Sequence, residues 1–133
     1  MYLKLIIPFL LLFIVTGCEN PAEQDNSKLL ISFRNKSAYQ LNNLIVSDKG
    51  IGNLPVNFSS RYFGFDDFRF DSGLPDENAS AVVNGKVYTN YRRGYWCGTE
   101  KITVTSGKYI INIEIVDTTL FLSCENSPTI DHP

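Results

Sequence analysis

From Lys28 onward, apolar and polar positions alternate in short runs separated by turn residues, and no stretch repeats with the 3.6-residue period of an amphipathic helix. This pattern predicts an all-β domain. Leu29, Ile31 and Phe33 alternate with Leu30, Ser32 and Arg34, and Asn35-Lys36-Ser37 closes that run before a second one from Tyr39 to Ser47. The two read as an antiparallel pair. Ile51 to Ser60 reads as a longer connection or a weak edge strand, because Pro55 cannot donate to a central ladder.

Between Arg61 and Phe70 the aromatics change phase: Phe63 and Phe65 share one face, Phe68 and Phe70 the other, which a bulge or bend near Asp66-Asp67 would reconcile. Asp71 to Asn78 contains Gly73 and Pro75 and reads as a loop. Asn84-Gly85 between Val82-Val83 and Val87 is a strong hairpin signal, since both central positions of that turn need positive φ. Lys101–Thr105 and Lys108–Val116 read as a second hairpin, with Tyr109, Ile111, Ile113 and Ile115 on one face of the return strand and Asn112 and Glu114 on the other. Leu120-Phe121-Leu122 forms the last strand. About seven strands at this spacing fit one small antiparallel β-sandwich, immunoglobulin-like or transthyretin-like in size, with a small barrel as the alternative. The immunoglobulin arrangement itself is absent, because Trp96 adjoins Cys97 instead of lying midway between two cysteines.

The N-terminal segment follows a different pattern. Lys4 is followed by an apolar run from Leu5 to Val15, too short for the roughly 20 residues of a permanent membrane span and of the right length for a signal peptide. Val15-Thr16-Gly17-Cys18 then resembles the lipobox of bacterial lipoproteins, in which the signal peptide is cut before a cysteine that receives the lipid. The resemblance implies a signal peptide over 1–17 and a lipid anchor on Cys18. Two or three acyl chains hold a protein firmly where one holds it marginally. Residues 18–27 then form the lipidated cysteine and a polar tether of at most about 30 Å, residues 28–126 the domain, and 127–133 a tail. Glu19 stands where an inner-membrane retention aspartate would stand, which favours the outer membrane in a two-membraned cell.

With Cys18 carrying lipid, Cys97 and Cys124 remain as an even pair in an oxidising compartment. A disulfide between them is expected, and closing its loop would contribute about 3.6 kcal/mol in the chain-entropy model. Cleavage removes Lys4 and takes the formal net charge from −2 to −3, which argues against a nucleic-acid partner.

Candidate chemistry is sparse. The single histidine, His132, lies one residue from the C-terminus, and no nucleophile elbow, zinc-protease, P-loop or dinucleotide fingerprint occurs, so no cofactor and no enzyme activity is expected. Asp66, Asp67, Asp71, Asp76 and Glu77 gather around one strand end, but Asp is also an ordinary turn residue and the spacing is not that of an EF-hand; a solvated loop without metal is expected. Tyr88, Tyr91, Arg92, Arg93, Tyr95 and Trp96 have the composition of a binding surface, although aromatics also pack on disulfides and strand ends.

The order of features resembles small Gram-negative envelope lipoproteins: lipobox, polar tether, Phe33-x-Asn35-x-Ser37, Ser60-x-Tyr62-x-x-Phe65 and Gly107-x-Tyr109. The resemblance implies a β-sandwich at the envelope and no functional residue beyond Cys18. The leading expectation is a non-enzymatic binding or accessory module, anchored to the membrane through Cys18 and recognising an envelope protein or glycan through Tyr91–Trp96. The alternatives are a carboxylate- or metal-dependent envelope hydrolase built on Asp66–Glu77 and an inhibitor or immunity lipoprotein.

Overall fold

The computed structural model describes residues 27–90 and 100–128. Among them the chain is all-β, with eleven strands: β1 (Leu29–Asn35), β2 (Leu41–Val46), β3 (Lys49–Leu54), β4 (Phe63–Phe65), β5 (Phe68–Asp71), β6 (Leu74–Pro75), β7 (Ala79–Val83), β8 (Lys86–Thr89), β9 (Lys101–Val104), β10 (Gly107–Val116) and β11 (Thr119–Cys124). They form a sheet of order β11-β10-β1-β4, a second of order β3-β2-β7-β8, and a three-stranded sheet of order β6-β5-β9. The expected small sandwich is what forms. The excess over seven strands comes from the Arg61–Phe70 run, which splits into β4 and β5 in different sheets, and from β3 and β6, which form in segments read as a connection or weak edge strand and as a loop.

Alternation sets the core. Leu29, Ile31 and Phe33 of β1, Ile111 and Ile113 of β10, and Leu120 and Leu122 of β11 are buried against Leu41, Leu44 and Val46 of β2 and Ala79, Ala81 and Val83 of β7. In β2 the inward spacing changes from three residues to two. A register shift around Asn43, whose φ is 49°, absorbs the extra residue, and its N–H donates to Asn53 Oδ1 at 2.9 Å.

Four turns among the described residues close with two central residues at positive φ: Ser47-Asp48, Ser72-Gly73, Asn84-Gly85 and Asp117-Thr118. This geometry matches the right-handed twist of the flanking strands. Asn84-Gly85 joins β7 to β8 as the sequence predicts. The turn between β5 and β6 lies inside the segment read as a loop, and Thr118 is a β-branched residue at φ 65°, a conformation such residues rarely adopt.

Two expected pairings are corrected. β1 and β2 do not pair: β1 lies between β10, parallel to it, and β4, while β2 pairs with β3 and β7. Asn35 is the reason the chain leaves the sheet there. Its Nδ2 donates to the carbonyls of Tyr39 (2.7 Å) and Leu54 (2.9 Å), and its Oδ1 accepts from the Ser37 N–H (2.9 Å) and hydroxyl (2.7 Å). This closed network turns the chain across to the second sheet and explains the Phe33-x-Asn35-x-Ser37 pattern. Nor do β9 and β10 form a hairpin: β9 pairs with β5 and β10 with β1 and β11. Gly107, at φ 104°, makes the corner, and the Tyr109 ring lies 3.2 Å from where a Cβ would sit.

The aromatic phase change has a related cause. Phe63 and Phe65 belong to the first sheet and Phe68 and Phe70 to the third, so a bend at Asp66 lets all four rings face the core. Phe33, Phe65, Phe68, Phe70 and Tyr109 form a continuous chain of ring contacts with centroids 5.4–6.2 Å apart.

Candidate functional site

Strand alternation places Arg69 and Asp71 of β5 on the face opposite Phe68 and Phe70, away from the main core. Both acids that follow on this side of the fold are nonetheless deeply covered: Asp71 and Glu77 are each 2% exposed. Their circumstances differ. Glu77 Oε1 accepts from the Arg69 N–H at 3.0 Å and from Nε at 3.1 Å, and Oε2 accepts from Nη2 at 2.8 Å. Hydrogen bonding and charge from Glu77 hold the Arg69 guanidinium still further above its ordinary range. Asn90 completes the frame, accepting from the Ala79 N–H at 2.8 Å and donating to the Glu77 carbonyl at 2.7 Å.

Asp71 has no comparable partner. The Ser72 hydroxyl donates to Oδ1 at 3.3 Å, and Oδ2 is buried with no hydrogen bond at all. A buried carboxylate oxygen in that state costs free energy and calls for a physical explanation. Asp71 lines a cleft of about 370 Å³ between β6 and β11. Leu74 and Pro75 of β6 line one side and Thr119, Leu120, Phe121 and Leu122 of β11 the other, with Val116 at the end of β10 and Asp117 in the turn that follows. Val116 and Phe121 are large apolar side chains left exposed at its margin. Asp76 and Asp117 join Asp71 in the lining, Asn90 closes one side, and no basic side chain among the described residues contributes to it.

The expected solvated carboxylate loop therefore divides. Asp66 and Asp67 are exposed as expected, whereas Asp71 and Glu77 are buried, because β6 folds back on β5 and β11 lies against β6. Among the described residues no three His, Cys, Asp or Glu side chains converge so as to hold a metal ion. No helix there is long and apolar enough to cross a membrane. The expected binding residues Tyr91, Arg92, Arg93, Tyr95 and Trp96, the lipid-bearing Cys18 and His132 lie outside the described residues. Tyr88 is partly buried and packs against the core.

Cys124 ends β11. Its thiol donates to Asn126 Oδ1 at 3.8 Å and forms no disulfide among the described residues; its expected partner, Cys97, lies outside them. Burial pushes the Cys124 thiol above its ordinary pKa.

Sequence reasoning reached Asp71 as one acid in a turn-rich segment. It missed the cleft, whose second wall comes from β11, about fifty residues further along the chain. Comparison with family models, with curated proteins and with solved structures finds no match.

Proposed function

We propose that this chain is a lipoprotein of the bacterial envelope, anchored through Cys18, whose β-domain serves as a non-enzymatic binding module with the Asp71 cleft as its recognition feature. The observation that carries the reading is the buried, unpartnered Asp71 Oδ2 in a cleft with the exposed apolar side chains of Val116 and Phe121 at its margin. A cleft of this volume, mostly apolar and carrying a few polar groups, has the character of a ligand site. Glu77, with both oxygens occupied by Arg69, serves the frame around the cleft. The lipobox, Val15-Thr16-Gly17-Cys18, supplies the address.

The test is in-cell crosslinking in a bacterial host, followed by detergent extraction and capture through the domain. Wild type is expected to retain a defined envelope component that Phe121→Ala releases, and an alkyne palmitate probe is expected to label wild type but not Cys18→Ala. Identical capture by wild type and Phe121→Ala, with no other dependence on the cleft, would overturn the binding reading. Equal labelling of both proteins would overturn the anchor.

A further inference from the structure

We infer that the Asp71 cleft binds an aliphatic organic cation, a primary ammonium or guanidinium group carried on an apolar stem. The inference rests on the binding-module reading above and specifies its ligand. Asp71 is 2% exposed, lines the cleft and has an oxygen without a partner. A water molecule would give that oxygen a hydrogen bond without offsetting its negative charge, and a water needs two to four polar partners to be held. The lining includes Asn90 and Thr119, which can hold a water, but neither neutralises Asp71.

A cation donates and neutralises at once, and charge-assisted hydrogen bonds are the strong ones. Among the described residues of the lining, Asp71, Asp76 and Asp117 are acidic and none is basic. A bare metal ion is a poor fit, because it takes several oxygen ligands and no three acidic or other ligating side chains converge among the described residues. An alkyl stem suits what remains. Methylenes can lie along Leu74, Pro75 and Phe121 while the charged head reaches Asp71, the reverse of the way a lysine keeps its head in water. Phe121, exposed at the margin, offers a ring face to a cation entering or leaving.

The same head group could come from a small free amine or from a lysine or arginine side chain of a protein. Full-length protein purified from membranes in detergent is to be titrated by calorimetry with four probes: n-pentylammonium, agmatine, an acetylated and amidated Gly-Lys-Gly peptide, and neutral 1-pentanol. Calcium chloride alone serves as a fifth. At least one cationic probe is expected to bind at least tenfold more tightly than pentanol. Asp71→Asn is expected to weaken it about tenfold or more. Asp48→Asn, outside the cleft, is expected to leave it unchanged.

Binding of pentylammonium or agmatine but not the peptide identifies a free amine as the source; binding of the peptide identifies a protein side chain. Either supports the inference. No cationic preference, equal binding by Asp71→Asn, or calcium binding that excludes pentylammonium would overturn it. If no cationic probe binds while Phe121→Ala still releases a captured envelope component, the cation inference fails and the binding module stands. If no cationic probe binds and Phe121→Ala leaves capture unchanged, both fail.

Discussion

Replacing Glu77 should expose how much of the frame around the cleft depends on a single carboxylate. In Glu77→Ala the Arg69 N–H loses its acceptor, a loss of about 1–3 kcal/mol for a buried donor, and its partial burial places it near the lower end. The Arg69 side chain is 48% exposed, so water replaces its two bonds and the ion pair itself contributes only about 0–1 kcal/mol. The buried stem adds about 0.8 kcal/mol per methylene removed. The expected cost is therefore about 2 kcal/mol, or a fall in Tm of about 8–16 °C for a domain of this size. Glu77→Gln keeps one acceptor for the N–H and should lose about half as much.

The informative comparison is a double-mutant cycle by urea denaturation. Arg69→Ala leaves Glu77 buried with only a backbone donor, so it should cost about 2 kcal/mol, more than a half-exposed arginine ordinarily would. The double variant should then fall short of the sum of the two by at least about 1 kcal/mol. The pair should also be indifferent to alkali over the working range. Arg69 is raised above an already high value, so its contribution is complete below the unfolded-state pKa and is lost only as pH rises through the folded one, beyond any ordinary assay. A Glu77→Ala midpoint within about 0.5 kcal/mol of wild type, or additivity in the cycle, would refute the assignment of Glu77 as a buried strut.

Thr118→Gly should raise stability by about 1 kcal/mol, since a β-branched residue at φ 65° carries strain that glycine lacks; an unchanged or lower Tm would count against that turn geometry. Asn35→Ala should cost about 3 kcal/mol by leaving two carbonyls and the Ser37 N–H without their partner, and a cost under about 1 kcal/mol would contradict the network. In fully reduced protein the raised Cys124 pKa stabilises the fold below the unfolded thiol value and is lost as pH rises toward the folded one. The urea midpoint should thus fall more between pH 8 and about pH 10 in wild type than in Cys124→Ala, and parallel profiles would refute it. In non-reduced protein, alkylation followed by mass spectrometry should find neither Cys97 nor Cys124 labelled, and two labelled thiols would defeat the proposed pairing.

The inward face of each strand was legible because burial follows local alternation: Leu29-Ile31-Phe33 and Ile111-Ile113 need only their own neighbours to be recognised. The turn at Asn84-Gly85 was legible for the same reason, since its chemistry is contained in two residues. Pairing was not. The parallel contact of Leu29–Asn35 with Gly107–Ile113 joins segments separated by most of the domain, and no local signal reports it. Ser47-Asp48 and Asp117-Thr118 adopt the same turn geometry without glycine or the Asn-Gly signature, so tertiary packing, not propensity, imposes it. Asp71 and Glu77 carry the composition of a solvated turn, and only the return of β6 and the arrival of β11 bury them.

The two buried acids show how burial separates structure from recognition. Glu77 meets three donors from Arg69, so its removal should weaken the fold and affect the cleft only through the frame. Asp71 Oδ2 meets none, so Asp71→Asn removes a buried unpartnered charge and should leave Tm equal or higher while weakening ligand. Opposite signs from one substitution distinguish a residue kept for binding from one kept for stability. The strained turn at Asp117-Thr118, whose aspartate lines the same cleft, fits the first description too: relieving Thr118 should add stability, and its effect on cation binding measures how far that strain positions the Asp117 side of the cleft.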